Sequence, residues 1–386
     1  MTRERQFFNG AVLVWAFFTT VVAALSFISP TRTLIPLYAA ATNDFWAGVN
    51  HRWDYYYLPA SQILFTPFAA LGEQIGGVLW RSVAVGLLSM AAWQWTAILV
   101  SERARPALGV FLLLLIPGAA GVLRNGQFDA HMWALIMISA AEVARGRNWP
   151  AAIALALALA LKPQAIVAVL LIGTTWPRVG ARLLPLVLLV LALPFLCADR
   201  EFVSQLYADF IHGISIGVRE IGDWNDLNGM LQKFGLAVPY PIMTGIRVAA
   251  ALAALVITLI ARRRLPLPQS AFTAFALSAL YLLLFNPRVE GSGYVGLALV
   301  AAPLAARAIL HEDRNGVGAL LIAIFALLGV TGLTAATLSL LGVWLKPLLA
   351  SLVAIIIVVP RALNPQLWRN VVTGDARPIN TQRGTP

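Results

Sequence analysis

The chain has 386 residues, 60% of them hydrophobic and 12% charged, with a formal net charge of +11. Soluble domains carry about 25% charged residues, so water cannot be the solvent for most of this surface; that excludes a string of two or three soluble domains and leaves one membrane-embedded unit. The positive charge sits in short segments between apolar runs, which is a topology signal and not a nucleic-acid face.

Met-Thr-Arg-Glu-Arg is followed by an uncharged run from Ala11 to Ile28. It exceeds the apolar core of a cleaved leader and reads as a retained signal-anchor span. Residues 60–72 are apolar and read as a membrane-surface helix leading into the next span. Further apolar runs bounded by charge or Pro/Gly fall at 76–100, 107–123, 130–144, 150–161, 165–175, 183–197, 241–261, 269–285, 294–310, 317–340 and 342–360. The expected fold is therefore all-α and polytopic, with about 12 transmembrane helices over residues 1–362 and a polar cytoplasmic tail over 363–386. The runs 150–161 and 165–175 are short for full spans, as half-helices, tilted spans or one interrupted pair would be. A single cysteine, Cys197, excludes an internal disulfide and a thiolate metal cluster.

With the N-terminus in the cytoplasm, alternation places 101–106, 145–149, 176–182, 262–266, 307–316 and the tail inside. Together with Arg3 and Arg5 these segments hold 17 Lys/Arg, against eight on the other side, as the orientation rule requires. The long loops 29–59 and 198–240 then lie outside. Arg124-Asn125-Gly126-Gln127-Phe128-Asp129, Lys162-Pro163-Gln164 and Asn286-Pro287-Arg288-Val289-Glu290 join them there. Polar segments far apart in sequence are thus expected at one outer face of a plasma or inner membrane, and the chemistry with them.

Ionisable groups at span ends are costly unless they have partners or reach water. Arg124, Lys162 and Arg288 each border an apolar run beside an amide or carboxylate, and three such cations converging would bind a phosphate. The competing explanation is single cations snorkelling to headgroups. Asn125, Gln127, Gln164, Asn286 and Glu290 supply donors and acceptors for sugar or acceptor hydroxyls, while Gly126 permits a tight turn; a plain turn between antiparallel spans competes with this. Asp44, His51 and Asp54 lie among Phe45, Trp46, Trp53, Tyr55, Tyr56 and Tyr57. An interfacial aromatic belt explains most of those rings, but one carboxylate near the cations could act as general base toward an acceptor hydroxyl. Walker, dinucleotide and His-Glu-x-x-His patterns are missing from the sequence, and its four histidines are scattered, so neither a cofactor nor a metal site is expected. Nor is there a soluble nucleotide-sugar domain; a sugar donor would have to come from the membrane.

At these motifs the chain resembles glycosyltransferase family 87, the polyprenyl-phosphate-mannose-dependent mannosyltransferase-like proteins of the GT-C superfamily. The resemblance rests on Gly48, Tyr57-Leu58-Pro59 leading into Phe65-Thr66-Pro67-Phe68, Asn125-Gly126-Gln127 with Asp129, Leu161-Lys162-Pro163-Gln164, the segment from Asn225 to Gly229, and Asn286-Pro287. It implies a GT-C-like bundle with an outward-facing site, a polyprenyl-phosphate sugar donor, a lipid or glycan acceptor, and inversion by direct displacement. Members usually carry an Asp soon after the first span as base. Here Pro30 to Tyr38 holds no carboxylate, which leaves Asp54, Asp44 and Asp129 as candidates, with Asp54 first for its place before Tyr55-Tyr56-Tyr57. Two other readings remain open: a transporter or flippase for a lipid-linked glycan, which broken spans would suit, and an inactive homologue. Polar residues on both sides of the midplane would favour transport, and a single cavity pairing carboxylate with cations would favour transfer.

Overall fold

The computed structural model describes residues 3–28, 32–51, 55–217, 224–236, 238–310, 316–331 and 341–369, and among them there are helices and no strand. Eight helices are long and apolar enough to cross a membrane. They are α1 (Arg3–Ile28), α4 (Gly72–Leu99), α5 (Ala104–Asn125), α9 (Pro177–Cys197), α12 (Tyr240–Arg264), α13 (Leu267–Phe285), α14 (Val295–Leu310) and α16 (Val343–Leu363), where the spans of α5 and α14 include the short turns before them and run over Ser101–Asn125 and Gly291–Leu310. Four shorter ones complete the set expected from the apolar runs: α6 (Phe128–Ala144), α7 (Asn148–Leu161), α8 (Ile166–Thr175) and α15 (Val317–Thr331). The chain is a multi-pass membrane protein. Its long loops carry helices of their own, α2 (Ile35–Ala47), α3 (Ala60–Ala69), α10 (Arg200–Gly217) and α11 (Leu227–Lys233), and α17 (Gln366–Arg369) begins the tail.

Burial separates the helices into layers. The apolar windows of α13 and α14 are 78% and 89% buried, whereas those of α1, α9 and α12 are 17%, 22% and 17% buried. The first pair, with α6, is therefore the core of the bundle, and the other three offer their apolar sides to lipid. α6 is hydrophobic on all faces, as a fully enclosed helix must be, and packs on α4, α7 and α13. α5 is held by α1, α4 and α14.

Polar contacts gather at two ends. At one, Arg103 binds Glu4 at 2.6 Å and the Leu310 carbonyl at 2.7 Å, and Glu142 pairs with Arg145 at 2.9 Å. The Arg182 and Arg262 guanidiniums cover the Trp149 and Trp176 rings there. At the other end meet segments 33–51, 55–62, 125–129, 162–164, 224–229 and 286–294. Alternation required this same partition of segments.

α7 and α8 explain how a charge reaches the second end below its surface. Fourteen residues at about 1.5 Å each give α7 roughly 21 Å, well short of a hydrocarbon core about 30 Å thick. The tip where α7 meets the following short turn, at Lys162, is accordingly recessed within the bundle.

Candidate active site

The Asn-Gly-Gln turn is built first from backbone. Gly126 closes α5 with φ +66°, and its N–H and that of Gln127 donate back to the Leu123 and Val122 carbonyls. A side chain there would be strained, and its Cβ would stand 2.9 Å from Ile35. α4 adds donors to the carbonyls at this helix end: Arg81 donates to Leu123 O at 2.9 Å and Arg124 O at 2.8 Å, and Trp80 Nε1 reaches Gly126 O at 3.0 Å, while Arg81 also donates to the Thr33 hydroxyl at 2.8 Å. The Asn125 carbonyl takes the Leu34 N–H at 2.8 Å. Arg81 is an intramembrane cation whose donors are spent on capping, so it anchors the turn and the start of the first long loop.

On that platform Gln127 is extended and Asp129 occupies the first turn of α6, where the helix dipole favours a carboxylate. Lys162 is extended ahead of Pro163, as a residue before proline must be. Its Nζ donates to Asp129 Oδ2 at 2.5 Å, with side chains only 14% and 7% exposed. Gln127 Nε2 donates to Glu290 Oε2 at 2.5 Å, and Lys346 Nζ pins the adjoining Gly291 carbonyl at 3.0 Å. Tyr57 stands beside this group. Burial pushes its phenol up, the Lys162 charge lowers it, and Asp129 and Glu290 raise it again, so it stays a neutral donor, with its hydroxyl 3.3 Å from that of Tyr38.

Arg288 has φ +61°, a strained conformation for a residue with a Cβ. That turn aims its guanidinium over Tyr56, 4.9 Å away, and Trp224, 5.4 Å away. Trp224 is delivered by the second long loop: Asn225 N–H donates to Val289 O at 2.8 Å, Tyr294 hydroxyl donates to Asn225 O at 2.8 Å, and Asp226 caps α11 by accepting from Gly229 N–H at 2.7 Å.

Of the residues singled out in the sequence, the fold thus gathers Gln127, Asp129, Lys162 and Glu290 into one cluster, with Arg288 two residues from Glu290. Arg124 leaves α5 beside the Arg81 clamp, and its Nε is buried without a hydrogen-bond partner among the described residues. Asn125 acts visibly through its carbonyl. Asn286 turns its amide onto the Pro287 carbonyl at 2.9 Å, and Gln164 is half-buried in the turn after Lys162. Asp44 stands apart at the end of α2, with His51 Nδ1 3.3 Å from its Oδ1. It lines a narrow cleft that Tyr57 also lines. Asp54 lies outside the described residues.

Residues 55–287 match the sequence profile of glycosyltransferase family 87. The chain belongs to that family. Among curated proteins and solved structures, none matches it. Family 87 membership makes this chain a glycosyltransferase, and the matched stretch runs from Tyr55 to Pro287, so it contains Tyr57, Gln127, Asp129, Lys162 and Trp224.

Several residues beside the cluster and the cleft were not legible as such in the sequence. Among the described residues, the rings of the first long loop do not form a lipid-facing belt: Phe45 and Tyr55 are buried and Tyr57 meets the Phe128 ring edge-on at 5.0 Å, because residues 55–59 turn inward to begin α3; Trp53 lies outside the described residues. Trp46 alone among the described rings of that loop is half exposed. Trp224, Asn50, Gln62 and Asp209 carry no motif. An intramembrane Arg81 was a signal, but it marked an anchor.

Proposed function

We propose that this family 87 glycosyltransferase moves a hexose, mannose by the resemblance, from a polyprenyl-phosphate donor to a lipid or glycan acceptor with inversion. The site would face outward from the plasma or inner membrane, with both termini cytoplasmic. The observation that carries this reading is Tyr57, which stands between the cluster of Lys162, Asp129 and Glu290 and a cleft edged by the Asp44 carboxylate. Direct displacement needs positive charge on the leaving phosphate and a carboxylate on the acceptor side.

In this reading Lys162 and Arg288 take the donor phosphate, with Arg124 offering a third cation. Asp129 holds Lys162 in place. Its carboxylate is engaged by the Lys162 ammonium at 2.5 Å, which leaves the base role to Asp44 or Asp54. Gln127 and Glu290 bind hydroxyls of the transferred sugar, and Asn125, Gln164 and Asn286 complete the polar rim. Incubating the purified protein with polyprenyl-phosphate-mannose and candidate lipid acceptors tests it: the expected product is an acceptor heavier by one hexose. Donor left intact with every acceptor, while a lipid-linked glycan crosses the bilayer of proteoliposomes, would establish the flippase reading instead.

A further inference from the structure

The bundle end opposite the Lys162 cluster carries a patch of one sign. Residues 143–198 and 227–289, which supply α7, α8, α9, α12 and α13, contain no Asp or Glu. At this end they carry Arg145 and Arg147, which share Glu142, and also Arg178, Arg182, Arg262, Arg263 and Arg264. None of the latter group has an ion-pair partner among the described residues.

Helix dipoles do not account for this grouping. Pro177 opens α9, Arg178 falls in its first turn and Arg182 one turn on, at the end where a cation is disfavoured. The α12 dipole favours Arg262, Arg263 and Arg264 in its last turn. Yet the Arg262 guanidinium is drawn to the start of α9, 5.9 Å from the Trp176 ring just ahead of Pro177. Arg182 folds back, donating to Arg178 O at 2.7 Å and covering the Trp149 ring at 5.6 Å. The orientation rule asks only for cations at this end. Arg3, Arg5 and Arg105 meet it from α1 and α5, so convergence on one helix start is a further demand.

The Thr175 hydroxyl and Trp176 Nε1 lie at the same place. Their residues are 6% and 7% exposed, and neither atom has a hydrogen-bond partner among the described residues. Buried polar groups left unanswered are costly; the oxygens of an anion would answer them and the cations together. The adjoining surface is apolar, with Leu170 of α8, Leu184 of α9 and Val256 of α12 57%, 63% and 53% exposed. α8 packs against both α9 and α12, so the charge is continuous with faces suited to acyl chains. A soluble anion would match only the charged part.

We propose that Arg178, Arg182 and Arg262, with Thr175 and Trp176, bind the phosphate of an anionic phospholipid whose acyl chains lie along α8 and α12. The site is independent of any sugar donor. α8 runs from this patch to the short turn after Lys162, so the lipid steadies the far end of the helix that follows the cluster.

Native mass spectrometry of the full-length detergent-solubilised protein, titrated with dioleoylphosphatidylglycerol or dioleoylphosphatidylcholine, tests the site. Phosphatidylglycerol is expected to bind about tenfold or more tightly than phosphatidylcholine, and Arg178→Gln/Arg182→Gln/Arg262→Gln to remove about tenfold or more of that affinity. Arg3→Gln/Arg5→Gln/Arg105→Gln removes the same charge at the same end and is expected to leave binding within about twofold, because those cations are screened at a distance. Arg262→Gln alone, with an expected loss of about fivefold, keeps the test available if the triple variant does not fold. Equal binding of the two lipids, equal losses in the two triple variants, or displacement of the lipid by an equal concentration of inorganic phosphate overturns the proposal. Selective lipid binding in a protein that transfers no hexose would refute the proposed function and leave this site standing.

Discussion

Lys162→Met separates what Lys162 does for the fold from what it does for a ligand. The ammonium lies 2.5 Å from Asp129 Oδ2, and the two side chains are 14% and 7% exposed, so water cannot replace the lost partner. Removing one member of such a pair leaves a buried charge and costs about 3–5 kcal/mol, whereas replacing both by apolar groups of similar size is close to neutral. Lys162→Met alone should therefore lower the thermal midpoint of the detergent-solubilised protein, and Lys162→Met/Asp129→Leu should recover most of the loss. Activity should follow the opposite rule. If Lys162 also meets the donor phosphate, the double variant stays inactive despite its restored stability. Melting curves by intrinsic fluorescence, read beside transfer assays on the same samples, complete the cycle. A double variant no more stable than Lys162→Met would refute the pairing, and a double variant with near-normal transfer would refute the phosphate role.

Arg288→Ala should weaken donor use by about 2–5 kcal/mol if the phosphate contact is buried, read as donor KM; Arg288→Lys should not restore it, because an ammonium does not stack between Tyr56 and Trp224 as a planar guanidinium does. Donor use unchanged in Arg288→Ala would remove that residue from the site. Asp44→Asn or Asp54→Asn should lower turnover roughly 10²–10⁴-fold with donor binding retained; if both variants and Asp129→Asn keep near-normal turnover, transfer does not use a carboxylate base. Arg81→Met should destabilise the protein, about 1.5–3 kcal/mol for each charged hydrogen bond it leaves unmade, and a wild-type melting curve would contradict the capping role. In a Cys197→Ala background, Arg103→Cys should react with a membrane-impermeant maleimide only after the cells are opened; labelling of intact cells would invert the topology.

The spans were readable because lipid imposes a coarse rule: about 20 apolar residues, with cations outside them. Every apolar run, including the short pair either side of Lys162, became a helix over its described residues; 332–340 of the run 317–340 lie outside them. The pairing of Asp129 with Lys162, and of Gln127 with Glu290, was legible only as a grouping at one face; which atoms meet depends on how deeply α7 descends and on the turn after α13. The rings were misjudged because Tyr55 to Tyr57 have the composition of an interfacial belt, and composition does not record that the following helix pulls them inward. Trp224, Asn50 and Asp209 were invisible for a simpler reason. They are ordinary residues on loop segments, and only docking of those segments brings them to Arg288 and to the cleft.

The shortness of α7 also bears on which molecules can reach the cluster at all. A cation set below the headgroup plane is met most easily by a phosphate that is itself tethered at that depth. Under the proposed function, a polyprenyl phosphate would keep its hydrocarbon tail among the lipids while its phosphate met Lys162, so docking would not expose methylenes worth about 0.8 kcal/mol each. A water-soluble nucleotide sugar has no such tail, and would have to bring its charge down from the aqueous phase alone. In that reading the length of one helix would act as a partition filter, sorting donors by where they dwell before any side chain inspects the sugar.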